Sequence, residues 1–223
     1  MSLWKVILLM LKEYHYKKYI YYLPLFCIAP VVSLPIIIER IGGDFVGGAS
    51  AGLAMGIGFF CPFAMVLIGM QTYSPKIRSG AVVLDITKPL TRRDYFVGKF
   101  IANIVVLVLC AVAAVGSFSV LLSANGYDIS YELFSGFSVL VIPLLVLSAT
   151  SVINLYLSMK ATGISAFVAC IICMRALTYL DEINYNPTVT LMEESISVIS
   201  LGMGAISVFL VVVGILLFIH KEL

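Results

Sequence analysis

Residues 73–99, YSPKIRSGAVVLDITKPLTRRDYFVGK, decide how the rest of the chain is read. They hold six basic residues (Lys76, Arg78, Lys88, Arg92, Arg93 and Lys99) against two acids, Asp85 and Asp94, and lie between two long apolar runs. A segment that basic, joining two membrane spans, stays on the cytoplasmic side. Within it, Ser74-Pro75 reads as a helix start, with Ser as N-cap and Pro at the first helical position. A short amphipathic piece over 77–86 follows, presenting Val82, Val83 and Ile86 to an apolar surface and weakened near its middle by Gly80. Lys88-Pro89 stops it, and Thr91-Arg92-Arg93-Asp94 reads as a capping box that launches the next span. The spacing therefore predicts a surface helix along the membrane, a turn, and a new span.

The flanking runs, 51–72 and 100–122, are read as the second and third spans. Further out lie the first span at 19–38, the fourth at 134–157, the fifth at 163–180 and the sixth at 196–219. Each has roughly the 20 residues that cross a hydrocarbon core of ~30 Å. The first carries Pro24, Pro30 and Pro35 and is expected to be kinked, with neighbours or water pairing the freed carbonyls. Pro143 predicts a second kink. Gly48, Gly52 and Gly56 form a repeated GxxxG stripe that admits a close helix neighbour, within the subunit before any dimer contact. Asn103 lies one turn past Lys99, within reach of water, and Asn154 near the inner end of the fourth span. The outer connections are a Gly-rich loop at 39–50, a loop at 123–133 with an Asn125-Gly126 turn, and an acidic stretch at 181–195. The inner ones are a tight turn at 158–162 and a tail at 220–223.

Composition agrees: the 223 residues are 61% hydrophobic and 12% charged, with a mean hydropathy of +1.10. That excludes a soluble domain and makes this a multi-pass, all-α membrane protein with lipid as its solvent. Twelve of fourteen basic residues fall on the side of 73–99, leaving only Arg40 and Arg175 elsewhere, and eight of twelve acids fall opposite. Both termini are therefore expected in the cytoplasm and the protein in the cell membrane. Residues 1–18 set Leu3, Ile7, Leu8 and Leu11 on one side and Lys5, Lys12 and Glu13 on the other. Two readings stand: a helix lying in the headgroup plane, or a ragged extension of the first span. No small-residue cleavage site follows, so the segment is expected to be retained.

Little in the chain suggests chemistry of its own. Cys27, Cys61, Cys110, Cys170 and Cys173 all fall in apolar runs and read as small hydrophobes. Cys170 and Cys173 form a CxxC without a histidine nearby, so no metal or redox site is expected. His15 and His220 lie near opposite ends, and no nucleophile or carboxylate pair is placed in a span; the chain is expected not to be an enzyme. No nucleic-acid partner is expected. Gly98-Lys99-Phe100 lacks the first glycine and the hydroxyl of a phosphate-binding loop, so any nucleotide hydrolysis belongs to a partner. Arg175 is the one ionisable residue clearly inside a span. It is either a pathway residue or one that snorkels outward to pair with Asp181 or Glu182.

The order of an amphipathic N-terminal helix, two spans, a cytoplasmic stretch and four more spans resembles the permease subunit of an ABC-2-type transporter. The stretch reads Gly80-x8-Pro89-Leu90-Thr91-Arg92-x2-Tyr95-x2-Gly98-Lys99, close to that family's Gly and apolar run, Pro-small-Arg turn, and Gly-Lys entering the third span. Where many members carry an acid and an arginine soon after the second span, this chain has Tyr73-Ser74-Pro75-Lys76. The resemblance implies a cytoplasmic coupling helix between spans 2 and 3 that docks on a separate ATPase subunit, which binds the ATP and Mg. It implies a dimeric pathway completed by a second copy or a paralogue, and export before import. Carried over residue by residue, the docking positions are Arg78, Gly80, Asp85, Pro89, Arg92 and Arg93. The plainer reading is that these charges only hold headgroups. The competing functions are an ATP-independent channel or carrier, which would show charged groups at the midplane, and an immunity or sensory component on the same fold.

Overall fold

A single left-handed residue separates the first two helices. Lys18, with φ 61°, turns the chain between α1 (Leu3–Tyr16) and α2 (Tyr19–Arg40). The segment before the first span is thus a helix of its own and not an extension of that span. The computed structural model describes residues 3–72, 91–127, 141–157, 161, 163–164, 168, 171 and 189–220. The expected amphipathic piece at 77–86 lies outside them.

α2 continues as one helix through Pro24, Pro30 and Pro35. Its return partner starts at Phe45, inside the stretch read as an outer loop, because Asp44 caps it: the Asp44 carboxylate accepts from the Gly47 N–H at 2.9 Å. This second span is built of α3 (Phe45–Met55), a π-helical turn over Gly56–Phe60, and α4 (Cys61–Thr72). The π turn, in which the Cys61 N–H reaches back to the Gly56 carbonyl, immediately precedes Pro62, which has no N–H to give the ladder. α5 (Arg92–Ala124) follows, then α6 (Val141–Ile153) and α7 (Val189–His220). α7 begins seven residues before the expected sixth span, since 189–195 contains no breaker and is rich in helix formers.

Four helices are long and apolar enough to cross a membrane: Tyr19–Arg40, Phe45–Met70, Arg92–Ala124 and Leu201–His220. They coincide with the first, second, third and sixth spans read from the sequence. The fourth is represented by a shorter apolar helix, Ile142–Ile153, and the fifth lies outside the described residues except at four positions. No strand occurs among the described residues. The protein is an all-helical, multi-pass membrane protein.

α5 is the post around which the others stand. Its 33 residues span ~50 Å, more than a bilayer core needs. Phe96, Phe100, Asn103, Val106, Cys110, Ala114, Phe118 and Leu122 recur at helical spacing and are buried from one end to the other. α2 packs against both α3 and α5, α4 against α6, α6 against α7, and α7 against α5, which closes a ring. At the outer end Phe45 stacks on Tyr127, with centroids 6.2 Å apart, tying the start of α3 to the end of α5.

The glycine stripe is what lets α2 and the second span touch. A Cβ on Gly48 would stand 2.8 Å from Pro35 Cα, and one on Gly56 2.8 Å from the Cys27 carbonyl oxygen. On Gly52 it would meet the Pro30 carbonyl oxygen at 2.8 Å and Val31 Cα at 3.0 Å. These obstacles are backbone, so no side-chain rotation relieves them. The Val31 carbonyl, which Pro35 leaves without its helical donor, lies 3.3 Å from the same point.

Gly52→Ala is expected to force α2 and α3 apart at a cost of about 1–3 kcal/mol. Gly116 of α5, where a Cβ would meet nothing within 4 Å, is the control. In detergent, thermal unfolding of Gly52→Ala should fall several degrees below Gly116→Ala, at about 2–4 °C for each kcal/mol. Equal midpoints would refute the close-packing role of the stripe.

Candidate functional site

The inner ends of the helices, where the chain leaves α4 and re-enters at α5, form the candidate site. Thr91, in extended conformation, caps α5: its hydroxyl oxygen accepts from the Asp94 N–H at 3.1 Å. Asp94 places a negative charge in the first turn, where the helix dipole favours it. The capping motif read from the sequence is therefore present, and it fixes the direction in which Arg92 and Arg93 project.

Those two arginines differ. Arg92 is partly buried, and its Nη1 donates at 3.1 Å to the carbonyl oxygen of Ile219, in the last turn of α7. A guanidinium near the C-terminal end of a helix offsets the negative end of its dipole. Arg93 is exposed. Of the six docking positions, Arg78, Gly80, Asp85 and Pro89 lie outside the described residues, as do Arg175, Asp181 and Glu182.

One turn further along α5 the surroundings become aromatic. Tyr95 stacks on Phe218 of α7 at 6.1 Å between centroids, and Phe96 meets the same ring at 5.8 Å. A Cβ on Gly214 of α7 would stand 2.8 Å from Phe96 and 3.2 Å from Val152 of α6, so that glycine lets three helices converge. Lys99, counted in the sequence among the cytoplasmic charges, is buried, with its Nζ 4.3 Å from the centre of the Tyr95 ring. The ring face one turn back receives the ammonium group.

α1 closes the other side of this end. Its Val6, Ile7, Met10 and Tyr14 are buried, while Trp4, Leu8 and Leu9 are exposed. The face expected from the sequence, which included Leu8, is rotated because α1 meets a protein neighbour as well as the bilayer. That neighbour is α5: a Cβ on Gly98 would stand 2.8 Å from Val6. The Tyr14 hydroxyl donates to Asn103 Oδ1. Asn103 is buried and held by this bond, not bathed in water as its position near the membrane edge suggested.

α4 has its own tie. Asn154, just past α6 and buried, donates through Nδ2 to the carbonyl oxygen of Gly69. Thus α4 is bonded to the end of α6, whereas α5 is bonded to α1 and α7. The sequence singled out both asparagines by position but not their partners. The usable signal was that an amide in an apolar helix must be paired inside the protein.

Deeper in the core, Cys27 of α2, Cys61 of α4 and Cys110 of α5 are free, buried thiols in contact with one another. Among the described residues no group of three or more His, Cys, Asp or Glu is arranged to hold a metal ion.

No curated protein matches the chain. The family model described as ABC-2 family transporter protein matches residues 11–169. The match begins within α1, covers the first three spans and the stretch between α4 and α5, and passes beyond α6. Covering more than half of the sequence, it shows that the chain belongs to the ABC-2 transporter family.

Proposed function

We propose that this chain is the membrane-spanning subunit of an ATP-binding cassette exporter, with six spans, working as a dimer with separate ATPase subunits. The observation that carries the reading is the family match over residues 11–169. The chain itself performs no catalysis; ATP and Mg are bound by the partner. Residues 73–91 are the docking segment on the cytoplasmic face of the cell membrane, and both termini share that face. The second half of the pathway is another copy or a paralogue.

The geometry supports this reading because each of the two helices that leave and enter the docking segment carries a tie to a further helix. α4 is tied to α6 through Asn154, and α5 to α7 through Arg92 and to α1 through Asn103. A partner that pushes between them acts on two groups of helices at once, which is what switching between inward- and outward-facing states requires. Arg93, exposed on the first turn of α5, is the better placed of the two arginines to meet an acidic partner surface, since Arg92 is engaged with Ile219.

A P-loop ATPase is expected to co-purify with the chain and to hydrolyse ATP in the complex. Arg93→Glu should weaken that association about tenfold. Arg92→Glu should weaken it and also loosen the end of α7, seen as a lower thermal midpoint. A complex as stable with Arg93→Glu as without it removes Arg93 from the docking surface.

A reporter enzyme or fluorophore fused after Leu223 is expected to be active only in the cytoplasm. Activity on the outer side would overturn the placement of both the tail and the docking segment.

A further inference from the structure

The Gly69 carbonyl lies in the last described turn of α4. It is paired from another helix. Asn154 Nδ2 donates to it, and the Asn154 backbone N–H is itself held at 2.9 Å by the Thr150 carbonyl, so the donor is fixed to α6. One turn earlier, Thr150 packs onto the same glycine: a Cβ on Gly69 would stand 2.6 Å from Thr150 Cγ2 and 3.1 Å from its Cβ. The Thr150 hydroxyl donates to the Val146 carbonyl at 2.6 Å, which holds the side-chain rotamer.

The two contacts act in opposite senses. The hydrogen bond resists separation of α4 from α6, and the Thr150 methyl resists their approach. We infer that Gly69, Thr150 and Asn154 form a joint that makes α6 follow the inner end of α4, with Asn154 as its positioning residue. The inference rests on the ATPase-driven reading, because it concerns how a push on α4 spreads.

A second observation separates this role from mere packing. Asn154 Oδ1 is buried with no hydrogen-bond partner among the described residues. An unpaired buried acceptor destabilises the fold, and leucine, of nearly the same volume, would avoid it. What the amide supplies that leucine could not is the bond to Gly69. Beyond the joint, Val152 of α6 touches Gly214 of α7, and Gly214 touches Phe96 of α5. Displacement of α6 therefore has a packed route to the far side of the ring.

The test needs no knowledge of the transported substrate. In a background with the native cysteines replaced, nitroxide pairs are placed at Leu67 with Val112 and at Tyr156 with Val112, all exposed positions on or beside α4, α5 and α6. Distances are measured in the complex with its ATPase, before and after trapping with ATP and orthovanadate. In wild type both pairs are expected to shift. In Asn154→Leu the Leu67 pair should still shift and the Tyr156 shift should fall at least about twofold. Thr150→Ala, which removes only the steric stop, should also reduce the Tyr156 shift. If the Tyr156 pair moves as far in both variants as in wild type, the joint is overturned and the ATPase-driven reading stands. If neither pair moves in wild type, that reading falls, and the joint with it.

Discussion

Lipid offers no hydrogen bonds, and that constraint shapes this bundle more than any apolar contact does. Every helix end, proline gap and side-chain amide at membrane depth must find its partner within the protein. α2 interrupts its own ladder three times, and one freed carbonyl, that of Val31, lies beside Gly52. Asn103 is paired by Tyr14, Gly69 by Asn154, and the end of α7 by Arg92. Each solution joins two helices, so the need to satisfy polar groups is also what fixes which helices are neighbours.

Since lipid tails are as apolar as leucine, burial alone gives little reason for one apolar helix to prefer another. Close backbone approach supplies it. Gly48, Gly52 and Gly56 bring the second span onto α2, Gly98 brings α1 onto α5, and Gly214 brings α7 against Phe96 and Val152. By contrast, Gly116, Gly202 and Gly204 have open space around them among the described residues. Small residues therefore matter here by where they fall and not by their number.

The features legible in the sequence were those set by local pattern. The four long spans follow from apolar length, the capping of α5 from Thr91 and Asp94, and the α2 contact from the four-residue spacing of the glycines. What was not legible depends on a partner distant in the chain. The stretch 39–50 looks like a glycine-rich loop until Asp44 caps a helix whose Gly48 rests on Pro35. Lys99 looks like an aqueous charge until it is found buried with the Tyr95 ring receiving its ammonium group. Asn103 and Asn154 both sit near membrane edges where water would suffice, and nothing local distinguishes an amide that is solvated from one that ties two helices 85 or more residues apart. The π turn over Gly56–Phe60 had one local cue, Pro62, whose missing N–H the wider turn accommodates.

The position of the ties gives the fold its mechanical character. Hydrogen bonds run from α4 to α6 and from α5 to α1 and α7. The contact between α6 and α7, made at Val152 and Gly214, is a further place where the two groups of helices meet. It is a contact of small and branched side chains without a hydrogen bond across it among those described. With no room for a Cβ on Gly214, this contact couples α6 to α7 by shape.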